Sequence, residues 1–189
     1  MLVDECKCRM KYFTKDLWLA WNNQGPIDPK KAIEIGNEAF DNYRQELEKL
    51  RPRLGSQTYE FFTTESLHDG RIVSFMVGDG IDHQVGGVKP FDINARQTAV
   101  RIQVFGSEMD VLYTLGYEGI RRVVFDFPSD EPLFYHEGGN IGDWGYDEVS
   151  APDAKYLRHE VLFSSGTSIV VEFEKFSYSK EACKGSRYL

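Results

Sequence analysis

The side chains best suited to chemistry gather in "GGNIGDWGYDEVS", residues 138–150, where Asp143, Asp147 and Glu148 are interleaved with Trp144 and Tyr146. Carboxylates beside large amphipathic rings suit a basic partner, a peptide or a sugar, since rings supply contact area and acids fix orientation. Together with His159 these five residues form the candidate binding set. A second chemistry is open to the same region. His136 and His159 with Asp143 and Asp147 would give two imidazoles and two carboxylates, a donor set able to hold zinc with one position open for water. Such a metal-assisted hydrolase requires His159 to face a cleft. A third use is a small-molecule cup in a curved sheet, with Tyr113, Tyr117 and Trp144 at its rim.

The same letters have a structural reading. Glycines 138, 139, 142 and 145 permit positive φ, which predicts consecutive tight turns. Asp143 and Asp147 would cap those turns through local backbone hydrogen bonds, and Trp144 and Tyr146 would plug the open end of the sheet. Turn chemistry explains each glycine without a ligand, so this reading is favoured over an exposed patch. His159 shares a strand face with Leu157, Val161 and Phe163 and is expected to be a hydrogen-bonded core histidine. Glu160 falls on the opposite face beside Arg158 and Leu162, so the adjacent His-Glu letters cannot form an acid–base pair.

Other motifs are incomplete. "GDGIDHQVGG", residues 78–87, lacks the third glycine of a dinucleotide fingerprint and the Gly-Lys-Ser/Thr of a phosphate loop. Asp79 and Asp82 lack the alternating ligands of a calcium loop. "SSG" at 164–166 is no nucleophile elbow, and no His-Glu-x-x-His occurs. Cys6-Lys7-Cys8 is half of a soft-metal site, and the odd total of three cysteines gives no disulfide framework. No cofactor, catalytic residue or resident metal is therefore assigned, and the balance leans away from an enzyme. The net charge of −8 disfavours nucleic acid and favours a basic protein partner. The longest clean apolar run, residues 72–77, is too short to cross a bilayer, and the acidic N-terminus lacks signal-peptide character. A cytoplasmic location is expected.

The elements that position these residues follow from periodicity. Thr14 is a helix N-cap with Phe13 and Trp18 at staple positions, and Asp28-Pro29 starts a second helix. Ile33, Gly36, Phe40, Tyr43, Leu47 and Leu50 form its inward stripe, and Pro52 should end it. A third helix is expected over residues 56–67 with Tyr59, Phe62 and Leu67 inward. Two-residue alternation then marks strands at Val100-Ile102-Val104, Met109-Val111-Tyr113-Leu115 and Val123-Phe125-Phe127, with "GYEG", residues 116–119, as a turn. Residues 157–163 and 169–173 form a hairpin through "SSGT", and the uniformly apolar residues 71–78 suit a central strand. The fold class is α+β, N-terminal helices packed on a curved antiparallel sheet or partial barrel. The 189 residues divide into a loose extension at 1–9, one domain over 10–180 (helical at 14–67, mainly strand at 71–176) and a tail at 181–189. Residues 79–95 make a long connector.

"MKYFTKDLW" (10–18), "GDWGYDEV" (142–149) and "LRHEVLFSSGTSIVVEF" (157–173) resemble an uncharacterised bacterial family of unknown function. That family carries Y-F-T-K-E-L starts and C-terminal G-D-W-x-Y-D-E and H-E-I-L-F-S-S-G runs. The resemblance implies no activity; by analogy with proteins of similar layout it suggests an immunity or partner protein of a bacterial toxin system. Gly145 stands where that pattern leads one to expect a larger apolar residue.

Overall fold

The computed structural model describes residues 10–79, 83–84, 87–88, 98–127 and 141–183. The expectations for residues 1–9, for Cys6 and Cys8, for His136 and for most of the connector after Asp79 lie outside these residues.

Helix α1 (Lys15–Trp21) begins where the sequence places it, with the Thr14 hydroxyl accepting from Leu17 N–H at 3.3 Å. Helix α2 (Pro29–Thr64) is capped by Asp28, whose carboxylate accepts from the amides of Lys30 and Lys31. Pro52 does not end it. The break comes at Gly55, with φ 70° and ψ 167°, so the two expected helices are two arms meeting at a kink. Pro52 forfeits one hydrogen bond, whereas Gly55 reverses the backbone into a region open in practice only to glycine.

The inward stripe of α2 holds at Gly36, Tyr43, Leu47 and Leu50 but shifts by one residue at two positions, where Ala32 and Ala39 face inward in place of Ile33 and Phe40. Ala32, Gly36, Ala39, Tyr43, Leu47 and Leu50 are buried, while Ile33 and Phe40 are 60% and 45% exposed. The cause is Trp21. Its indole donates to Ala32 O at 3.1 Å and lies against Gly36, where any Cβ would come within 2.3 Å of the ring. Docking α1 in this way turns the small residues of α2 inward and moves Phe40 to the margin.

The remainder is β1 (Arg71–Asp79), a short ladder of β2 (His83–Gln84) with β3 (Gly87–Val88), then β4 (Thr98–Phe105), β5 (Val111–Glu118), β6 (Arg122–Asp126), β7 (Trp144–Ser150), β8 (Leu157–Phe163), β9 (Ser168–Phe173) and β10 (Lys175–Ala182). Two four-stranded antiparallel sheets result, ordered β1-β4-β5-β10 and β6-β9-β8-β7, with no closed barrel. The α+β class stands, with two helices packed against two sheets. Four details differ from expectation. β1 is an edge strand, with Val73, Met76 and Val77 exposed. Met109 sits at φ 57° in the turn before β5 rather than in the strand. "GYEG" continues β5 to Glu118, which carries Tyr117 into the core. Strand β10 runs to Ala182, beyond the boundary drawn for the tail.

A single ribbon joins the sheets. β5 pairs with β10 and β6 pairs with β9, and the ribbon bends where Glu174 N–H meets Glu118 O and Arg121 N–H meets Glu172 O, both at 2.9 Å. The core fills the space between the sheets, with Val100, Ile102, Val104, Leu115 and Tyr117 from one side and Trp144, Phe163, Val171 and Phe173 from the other. Helix α2 lies against β10 and β7, where Thr58 donates to Phe176 O at 3.4 Å and the edge amide of Val149 donates to the Tyr43 hydroxyl at 2.8 Å. That contact occupies a free edge of β7.

Candidate functional site

The stretch expected to be a glycine-shaped corner is mostly strand β7. Of its described glycines only Gly142 has positive φ, at 85°. Gly145 instead forms a bulge between Trp144 and Tyr146, and a Cβ there would lie 2.7 Å from Leu162 O. No larger residue fits there without a shift of the backbone. The bulge has a chemical consequence. Residues three apart in a regular strand face opposite ways, but one extra residue returns Trp144 and Asp147 to the same side. Trp144 Nε1 accordingly donates to Asp147 Oδ1 at 2.9 Å.

Register completes the group. Val149 pairs with His159 across β7 and β8, so His159 shares the face of Asp147, and its Nε2 lies 3.0 Å from Asp147 Oδ2. The other ring nitrogen, Nδ1, lies 2.7 Å from the Tyr117 hydroxyl, which arrives from β5 in the other sheet. Burial pushes the Tyr117 phenol well above its ordinary value, reinforced by the charge of Asp147, so it remains a donor. The neutral Nε2–H form of His159 then satisfies every atom: Tyr117 O–H donates to Nδ1, and Nε2–H and the Trp144 indole donate to Asp147. Trp144, Tyr117 and His159 are at most 1% exposed, and this chain ties the two sheets together. Trp144 is a buried ring, as the structural reading expects, and Trp144 and Tyr117 are core residues rather than the rim of a cup. Tyr113 is partly buried, and its hydroxyl donates to Glu65 at 3.0 Å.

The remaining candidates separate. Asp143 caps no turn; it pairs with Arg71 Nε at 3.1 Å, and its own amide donates to the Ser164 hydroxyl. Glu148 is buried on the opposite face of β7. Its Oε1 accepts from the amides of Tyr12 and Phe13, both at 2.6 Å, and Oε2 accepts from Lys11 at 2.9 Å, fastening the chain entering α1. Burial holds the Glu148 carboxyl above its ordinary value against these three amides. Asp147 does not cap a turn either, because the side chains of Trp144 and His159 occupy it. Asp143 and Asp147 thus have different partners, and among the described residues no three His, Cys, Asp or Glu side chains converge as a metal site.

Asp147 is the outer end of this chain of hydrogen bonds. Its side chain is 22% exposed and borders a cleft of about 570 Å³ between β7 and the two arms of α2. Phe13, Phe40, Tyr43, Phe62 and Tyr146 line it, and the kink at Gly55 sets Tyr59 and Glu65 across from Tyr43 and Glu48. Tyr146 stands at one wall, stacked on Phe13 at 5.3 Å and edge-on to His68 at 5.0 Å. Beyond it lies a second hollow of about 410 Å³ with Trp18, Trp21, Asn22, Asp69 and Asp143.

The cleft and its helical wall were not legible from composition, because α2 reads as an ordinary amphipathic stripe. Neither was an outer-face network in which Glu172 takes Arg158 at 2.6 Å and Arg121 at 2.7 Å, with Arg121 also on Asp153. Its signal was the spacing of Arg158 and Glu172 on neighbouring strands, visible only once register is known. Among the described residues, no helix is long and apolar enough to cross a membrane. Comparison with protein-family models, curated proteins and solved structures found no match to this chain.

Proposed function

We propose that this chain is a non-enzymatic binding domain that engages a basic protein partner through the ring-lined acidic face of β7 and α2. Its proposed setting is the bacterial cytoplasm, with an immunity-type role suggested by analogy with proteins of similar layout. The observation that carries this reading is Asp147, a partly exposed carboxylate held rigid by Trp144 and His159 at the edge of a preformed cleft. A pre-organised site of this size costs little ordering on binding. A chain charge of −8 adds long-range attraction for a basic partner.

The Asp147-His159-Tyr117 chain is not arranged for nucleophilic catalysis. In that chemistry the carboxylate orients the histidine from behind and the nucleophile meets the substrate. Here the order runs inward, with Tyr117 fully buried and both imidazole nitrogens occupied. The group left facing the cleft is an acceptor with fixed geometry, which suits recognition.

The test is binding to unstructured peptides of equal length and graded lysine content, at low and high salt. Affinity should rise with lysine content and fall with salt. Binding that ignores both variables would overturn the proposal.

A further inference from the structure

Four charged groups line the cleft besides His68, and three of them are already engaged. Arg44 Nη1 is 3.6 Å from Asp41. Glu65 takes Lys180 at 2.8 Å and the Tyr113 hydroxyl. Glu48 accepts from the Tyr59 hydroxyl at 2.5 Å and lies 3.8 Å from Arg51. His68 sits 3.2 Å from Asp69. Asp147 differs from all of them. Among the described residues its side-chain partners are the Trp144 indole and the His159 imidazole, and no Lys or Arg ion pair with it occurs among them. Its side chain is 22% exposed, and at a cleft wall with little water to screen it a carboxylate attracts an opposite charge more strongly than in open solvent.

The walls add a second requirement. Tyr43, Tyr146, Phe40 and Phe62 bring rings to the same cleft, and ring faces attract cations. An inorganic cation needs several oxygen ligands, and no such cluster is present among the described residues. An organic cation needs one carboxylate, apolar walls for its stem and π faces for its head, which is the inventory of this cleft. Its volume of about 570 Å³ accommodates a long side chain.

We infer that the Asp147 cleft is a recognition pocket for a single organic cation, the ammonium or guanidinium head of one lysine or arginine side chain. The inference rests on the binding reading above and names the group that enters the cleft. The cation sits against the outer edge of the Asp147 carboxylate with its stem along Phe40 and Tyr146, while Trp144 and His159 hold the carboxylate from behind.

The experiment follows the three tryptophan indole N–H resonances of the full chain by NMR during titration with Nα-acetyl-lysine methylamide and with Nα-acetyl-arginine methylamide. Nα,Nε-diacetyl-lysine methylamide, isosteric in its stem but neutral, is the control. At least one charged probe is expected to shift the Trp144 indole, because that N–H shares Asp147 with the incoming cation, and to bind at least tenfold tighter than the neutral probe. Asp147→Asn should remove that preference. The comparison of charged with neutral probes on the unaltered chain does not depend on how well the variant folds. Equal binding of all three probes, or no shift with either charged probe at millimolar concentration, would overturn the inference. If lysine-rich peptides bind but the Trp144 indole stays silent to both charged probes, the pocket assignment fails and the broader proposal stands. If a charged probe binds and the peptides do not, the broader proposal fails instead.

Discussion

At the scale of single residues, Glu148 and Asp147 are adjacent carboxylates with unrelated duties, because strand alternation sends them to opposite faces of β7. Glu148 holds the segment entering α1 through three backbone amides. Glu148→Ala would leave those donors without their acceptor, a loss of about 1–3 kcal/mol, visible as a lower urea midpoint together with faster amide exchange at residues 11–13. Unchanged exchange there would contradict the anchoring role. The outer face gives a pH dependence of definite sign. Asp153 is held down to about 2 from an ordinary 3.8 by the amide of Tyr156, by Arg121 and by the amide of Lys155. Burial pushes Glu172 up, but Arg158 and Arg121 outweigh it and leave it below its ordinary value. The folded state therefore binds fewer protons than the unfolded chain as pH falls. The stabilisation is fully present above about 4 and disappears as pH drops through about 2 for Asp153. Glu148 has the opposite sign, since a raised carboxyl favours the folded state below its unfolded value and loses that contribution as pH rises. Asp153→Asn should flatten the acid limb of a stability profile followed by circular dichroism between pH 4 and 2. A limb as steep as in the unaltered chain would contradict the assignment.

At the scale of elements, both helix starts were legible because Thr14 and Asp28 are capping residues followed by suitable first turns. The strand faces Val100-Ile102-Val104 and Leu157-His159-Val161-Phe163 were legible because one or both faces are buried and period two is unambiguous. The end of α2 was not. Pro52 is the stronger breaker by letter, yet the chain turns at Gly55, which can reach φ 70° and ψ 167° without strain. A Cβ at Gly55 would touch nothing within 4 Å, so Gly55→Ala tests conformation alone. It should cost about 1–3 kcal/mol. A neutral result in thermal unfolding would mean that the kink survives without glycine. Phe40 failed as a core prediction because helical periodicity cannot see Trp21, which selects among the neighbouring faces of α2. Strand β7 was missed because a bulge breaks the alternation and glycine letters suggest turns.

At the scale of the whole molecule, the candidate set Asp143, Trp144, Tyr146, Asp147, Glu148 and His159 was legible as a list but not as an arrangement. Sequence placed His159 in the core and gave no means of seeing Tyr117 reach it from the other sheet, since that contact spans 42 positions and depends on the ribbon joining the sheets. The same long-range geometry sets Asp147 beside a cleft whose other wall is α2. Both arms of α2 line that cleft, and the kink at Gly55 lies between them. The most direct test of this arrangement is a hydrogen-exchange footprint of the chain with and without a bound lysine-rich peptide. Protection is expected along β7 at residues 145–149 and on both arms of α2, around residues 43–48 and 59–64. Protection confined to the exposed edge of β1, with β7 and α2 unchanged, would contradict a recognition site at Asp147.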